Sequence, residues 1–119
     1  MFKKKIFWYQ VFPTQEAAYK NIDIGDLYAV NIQGKNMLIS RTAENFVAYE
    51  DKCPHQGVKL STSKCAKEGI ITCPWHKYKF DLKNGEAIGS HAFYLKSFPT
   101  KISENGLHLG IEKTILNLF

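Results

Sequence analysis

A chain of 119 residues with 45% hydrophobic and 23% charged residues has the makeup of an ordinary globular protein, long enough for one buried core. No stretch approaches the roughly 20 consecutive apolar residues of a membrane-spanning helix. The net charge of +5, from 16 Lys and Arg against 11 Asp and Glu, favours acidic partners, but no nucleic-acid motif accompanies it.

The first run, MFKKKIFWYQVFPTQE, puts basic residues ahead of apolar ones, as a secretory signal does. Its apolar part is short, contains Gln10 and meets Pro13 and Glu16 with no small-residue cleavage site, so IFWYQVF (6–12) reads as a first strand instead. TQEAAYKN predicts a brief helical turn with Thr14 as its N-cap. LYAVNI (27–32) and MLISR (37–41) predict strands around a hairpin loop, Gln33-Gly34-Lys35-Asn36. FVAYED (46–51) predicts a strand that runs into CPHQGVKL, and GIIT (69–72) one that runs into CPWHKYKFD. YKFDL predicts a strand entering a turn at Asn84-Gly85, and PTKIS and LHLGI flank a second turn at Glu104-Asn105-Gly106. Short, closely spaced strands without a long 3.6-residue period predict an all-β fold, an antiparallel sandwich or barrel. Both Cys-Pro stretches then fall in loops at strand ends, where binding chemistry is commonly placed.

The cysteines number three, and in a chain that reads as intracellular this favours metal binding over a disulfide framework. Cys53 and His55 stand in one loop, Cys73 and His76 in the other, with residues 56 to 72 between the loops. Four such ligands suit zinc or an iron–sulfur cluster. Zinc fingers prefer paired cysteines followed by paired histidines, whereas each loop here mixes the types. A two-iron cluster accounts for the mixing if the cysteines hold one iron and the histidines the other. Neutral imidazoles in place of two thiolates lower the charge cost of adding an electron, and their free ring nitrogens can couple electron uptake to proton uptake.

Cys53-Pro54-His55-Gln56-Gly57 and Cys73-Pro74-Trp75-His76, with Phe80-Asp81 and Gly85 after them, resemble the Rieske [2Fe-2S] signature. The likeness is specific in the two loops and extends more weakly over about residues 6 to 112. It implies a Rieske-like antiparallel β-sandwich with a two-loop cluster-binding subdomain, residues 1–119 forming one such domain. It implies one [2Fe-2S] cluster per chain on Cys53, His55, Cys73 and His76. The function implied is that of a soluble, cytoplasmic one-electron carrier similar to Rieske-type ferredoxins. Such a carrier passes electrons from a flavin- and NAD(P)H-dependent reductase to an oxygenase or other oxidoreductase, and catalyses nothing itself. The chain has no room for an oxygenase's mononuclear-iron domain and no Gly-rich nucleotide fingerprint. Two other readings stay open: a Rieske-fold small subunit of a redox enzyme such as NADH nitrite reductase, and a zinc-binding structural or interaction module.

Departures from the family pattern are informative. Val58 and Trp75 stand where high-potential members carry a disulfide between the loops, and Tyr78 and Phe80 stand where those members place hydroxyl donors to the cluster. These exchanges imply a low-potential, ferredoxin-like form. Lys77 replaces a common glycine after the second histidine. Lys52, Lys59, Lys77 and Lys79 lie in or beside the loops, either as scattered surface charge or as a basic rim that docks an acidic redox partner. Cys65 matches no ligand position and reads as a small buried hydrophobe. His91 and His108 read as surface or satisfied strand residues, Trp75 as a cluster shield or plain core, and Gly57 as a point of close backbone approach.

Overall fold

A computed structural model describes residues 2–54, 57–66, 68–74, 78–89 and 93–116, with the side chains of residues 64–66 outside the description. The first strand, β1 (Phe2–Phe12), is followed by the helix α1 (Gln15–Asn21) and the strands β2 (Leu27–Ile32), β3 (Lys35–Arg41) and β4 (Phe46–Glu50). A 3-10 turn (Leu60–Thr62) then leads to β5 (Lys64–Ala66), β6 (Ile70–Thr72) and β7 (Lys79–Asp81). The chain closes with β8 (Ser97–Phe98), β9 (Thr100–Ser103) and β10 (Gly106–Leu116). All strand pairing among them is antiparallel, in three sheets ordered β1-β10-β9, β2-β3-β4-β8 and β5-β6-β7.

The first two sheets face each other and share a core. Phe12, Leu107, Leu109 and Ile111 come from one, and Met37, Ile39, Phe46, Ala48 and Phe98 from the other. Helix α1 covers this core with Ala18, and Ile22 follows it inward. Its start is capped as the sequence predicts, the Ala17 N–H donating to Thr14 Oγ1 at 3.1 Å.

Strand alternation lets one sheet serve two cores. Along β3, Met37 and Ile39 enter the sandwich while Leu38 faces the other way; along β4, Phe46 and Ala48 enter it while Tyr49 faces away. Leu38 and Tyr49 meet the third sheet there, packing with Ile71 of β6, Phe80 of β7 and Leu60 of the 3-10 turn. The expected sandwich with a separate two-loop unit is therefore the observed arrangement.

Several boundaries differ from the sequence reading. β1 begins at Phe2, because Lys3, Lys4 and Lys5 are held in the ladder opposite Ile115, Thr114 and Lys113. Lysine has little strand preference, and β10 supplies the pairing that overrides it. The β2–β3 loop is two residues, since Ile32 already pairs with Lys35. β5 and β8 were too short to show a period. His108 is a strand residue opposite Gln10 and Lys101, as expected, but its buried Nδ1 has no hydrogen-bond partner among the described residues. His91 lies outside them.

Candidate metal centre

Both cysteines assigned to the metal are fully buried, and the fold brings them into one apolar cluster. Cys53 follows the end of β4 and Cys73 the end of β6. Around them pack Leu38, Tyr49, Leu60, Ile71, Phe80 and Leu82, with Val58, Tyr78 and Phe93 at the margin. Neither cysteine is engaged in a disulfide. His55 and His76 lie outside the described residues, as do Gln56, Trp75 and Lys77. The expected four-ligand set is therefore described at its two sulfurs alone. Among the described residues no three His, Cys, Asp or Glu side chains gather into a site.

The two loops share a backbone device. The Cys53 N–H donates to the Val58 carbonyl at 2.8 Å, and the Cys73 N–H donates to the Tyr78 carbonyl at 2.7 Å. Each bond joins a cysteine to the residue five positions on, the same span in both loops. In the first loop the Gly57 N–H also donates to the Cys53 carbonyl at 2.7 Å. The structure adds a second reason for Gly57 beside the expected close approach to the cluster. Its φ is +75°, and among the described residues an added Cβ would meet nothing nearer than Lys52 Cε at 3.8 Å. The left-handed turn by itself calls for glycine there.

Two polar anchors that the sequence reading missed hold the loops to the framework. Asp51, buried just ahead of Cys53, accepts from the Ser61 N–H at 2.8 Å and the Ser61 hydroxyl at 2.6 Å. Its own N–H donates to the Asn36 carbonyl at 3.0 Å, so Asp51 ties both ends of the first loop to β3. The buried Tyr49 hydroxyl donates to the Leu82 carbonyl at 2.5 Å, just past β7. Burial, with the Asp81 charge as a second cause, pushes the Tyr49 hydroxyl up to about 12 and keeps it a donor. Nothing in the residue types marks these anchors, because each depends on a partner ten or more positions away.

Gly85 explains part of the motif after the second loop. Its φ is +78°, and a Cβ there would come within 2.9 Å of Tyr49 Cε1 and 3.1 Å of the Leu95 carbonyl oxygen. Its N–H donates to the Asp81 carbonyl at 2.6 Å, and its carbonyl accepts from Leu95 at 2.7 Å. Turn and close packing both require glycine here. Phe80 is wholly buried, and Tyr78 lies edge-on to Phe93 with ring centroids 6.1 Å apart. Of the four lysines proposed as a rim, Lys52, Lys59 and Lys79 are exposed, and Lys77 lies outside the described residues.

Two buried thiols presented by matching turns are a donor set that fits an iron–sulfur group. Comparison with known proteins agrees. Residues 7–99 match the family model described as Rieske [2Fe-2S] domain. The chain is 27% identical over 88 residues to the ferredoxin component of an alkene monooxygenase system from Xanthobacter autotrophicus, covering 74% of this chain and 72% of that protein. It is 28% identical over 90 residues to the ferredoxin component of a naphthalene 1,2-dioxygenase system from Pseudomonas putida, covering 74% and 85%. The oxygenase subunit of carnitine monooxygenase from Acinetobacter baumannii is 29% identical over 100 residues, but only 26% of its length is covered. Among solved structures, a chain in the complex of reduced oxygenase and oxidized ferredoxin of carbazole 1,9a-dioxygenase superposes with a TM-score of 0.72 at 24% identity, covering 86% of this chain and 91% of that one; this likeness shows the fold. The chain belongs to the Rieske [2Fe-2S] domain family.

Proposed function

We propose that this Rieske-family chain is a soluble, cytoplasmic one-electron carrier that works as a single domain and catalyses no reaction by itself. The observation that carries the reading is the burial of Cys53 and Cys73 in one apolar cluster, each pinned by its own N–H in the same turn. Cys53 and Cys73 would hold one iron, and His55 and His76 the other. A [2Fe-2S] group bound there supplies a site that takes up and releases a single electron. Ferredoxin components of comparable length among the relatives support a carrier over an oxygenase subunit, of which this chain spans about a quarter. Family membership and the mixed ligand pairs weigh against a zinc module. No described helix is long and apolar enough to cross a membrane.

The residues of this chain set the conditions for that electron. Phe80 and the apolar side chains around the thiols keep water from the sulfurs. Phe80 offers no hydroxyl, so the reduced, more negative state gains less from hydrogen bonding, and the midpoint potential falls in the low, ferredoxin-like range. The donor is a flavin- and NAD(P)H-dependent reductase, and the acceptor an oxygenase or other oxidoreductase with an acidic docking face. Lys52, Lys59, Lys77 and Lys79 form the basic rim that receives it.

The experiment is iron and acid-labile sulfide analysis of the purified protein, followed by redox titration and a reconstituted turnover assay with such a reductase and oxygenase. Two irons, two sulfides and a potential below that of the hydrogen electrode are expected; one zinc in a colourless protein, or a clearly positive potential, contradicts the reading. Charge reversal at Lys77 and Lys79 is expected to slow electron transfer at low salt, and an unchanged rate removes the rim.

A further inference from the structure

We infer that an acidic segment of the redox partner, carrying one apolar side chain, lies in a groove that leads away from the first cluster loop. The inference rests on the carrier function proposed above and extends it along a surface that starts at the first loop and leads away from it. Beside the loop is an open cavity of about 350 Å³, lined by Lys52, Gly57 and Lys59 and reaching Lys35 and Phe98. A second cavity of about 240 Å³ begins at the same Lys35 and Phe98 and continues past Lys96 to Ile6, Pro99 and Gly110. The two hollows adjoin at Lys35 and Phe98, and together they line a path from the cluster loop to the outer face of the β1-β10-β9 sheet.

Charge sets the chemistry of the occupant. Lys35, Lys52, Lys59 and Lys96 are all exposed along the groove, and none lies within ion-pair distance of a carboxylate among the described residues. The acids nearby are partly engaged: Asp51 is buried and bonded to Ser61, and Glu112 lies 3.7 Å from Lys4. Glu50 in the first hollow and Glu112 in the second are the acids that face the lysines. Four unpaired ammonium groups strung along a groove attract an extended anion better than a compact one.

The far end supplies an apolar socket. Ile6 and Trp8 lie there partly exposed, at 41% and 38%. Gly110 forms the floor, where a Cβ would come within 2.7 Å of both Ile6 Cγ2 and Pro99 Cγ and 3.3 Å of Trp8 Cζ3. The crevice exists because position 110 has no side chain. One aliphatic or aromatic side chain from the bound segment fits there, and acidic neighbours on the same segment meet Lys35 and Lys96. The partner is thereby held at a point away from the loops while its electron-accepting centre faces them.

The test uses the oxidised, cluster-loaded protein labelled with 15N and a synthetic ten-residue peptide of glutamates with one central leucine. Titration is expected to shift the amides of Ile6, Lys35, Lys96 and Gly110. The double variant Lys35→Glu/Lys96→Glu is expected to bind roughly tenfold more weakly, with its visible spectrum and potential unchanged. An all-glutamate peptide is expected to bind several-fold more weakly than the leucine peptide. Shifts confined to other surfaces, equal binding by the double variant, or equal binding of the two peptides overturns the groove. So does concentration-dependent sedimentation abolished by the double substitution, which would assign the surface to a second copy of the chain. A sample with two irons and two sulfides that ignores the peptide overturns the groove alone, whereas a sample without them overturns the carrier function beneath it.

Discussion

The β2-β3-β4-β8 sheet has two faces, and they bury different kinds of core. On one face Met37, Ile39, Phe46 and Ala48 meet Leu107, Leu109 and Ile111, all apolar and drawn from long paired strands. On the other, Leu38 and Tyr49 meet two buried cysteines, the ends of two loops and strands of only three residues. The first core is held by area removed from water. The second has less regular structure and leans on particular bonds: Asp51 to Ser61, Tyr49 to Leu82, and the paired turns at Cys53 and Cys73. If the division holds, the first core should stand without the metal and the second should depend on it.

The sharpest way to break this division is to remove a sulfur. Cys53→Ser or Cys73→Ser is expected to abolish iron and sulfide binding entirely while a cooperative thermal transition of the sandwich persists by circular dichroism. A variant that loses both together would merge the two cores into one unit. The converse is Ile111→Ala, expected to cost about 2–5 kcal/mol of stability by denaturant titration, with no change in the visible spectrum or potential. A shifted potential there would show that the framework reaches the metal.

Gly85→Ala probes the seam. The positive φ and the contact with Tyr49 predict a loss of about 1–3 kcal/mol, with a perturbed visible spectrum as well. Tyr49→Phe should cost about 1–3 kcal/mol, since it leaves the Leu82 carbonyl without its donor. It also carries a pH signature. The Tyr49 hydroxyl sits near 12 in the fold against an ordinary 10, so the unfolded chain gives up that proton first as pH rises. The stability it contributes is complete below about pH 10 and disappears towards 12. Wild type is therefore expected to lose more stability than Tyr49→Phe across that window in urea titrations, and parallel losses would deny the hydroxyl its role.

The two faces were unequally legible in the sequence. β2 matched LYAVNI residue for residue and the Thr14 cap formed as expected, because apolar alternation and capping are local signals. The cysteine stretches were legible as loops, since each follows a strand run and opens on a Cys-Pro step. What escaped was non-local: the lysines of β1 drawn into a ladder by β10, the two-residue β8 that exists only as a partner of β4, and the reach of Asp51 and Tyr49 across the chain. The positive φ of Gly57 also escaped, since φ cannot be read from a residue's name.

In the proposed carrier one site holds two irons in unlike surroundings. Mössbauer spectroscopy of 57Fe-enriched protein tests it directly. The account predicts two iron environments in equal amount in the oxidised state, one with sulfur-only ligation and one with nitrogen ligands, with the added electron residing on the nitrogen-ligated iron after reduction. A single iron environment, or equivalent irons with four thiolate-like surroundings, would contradict it.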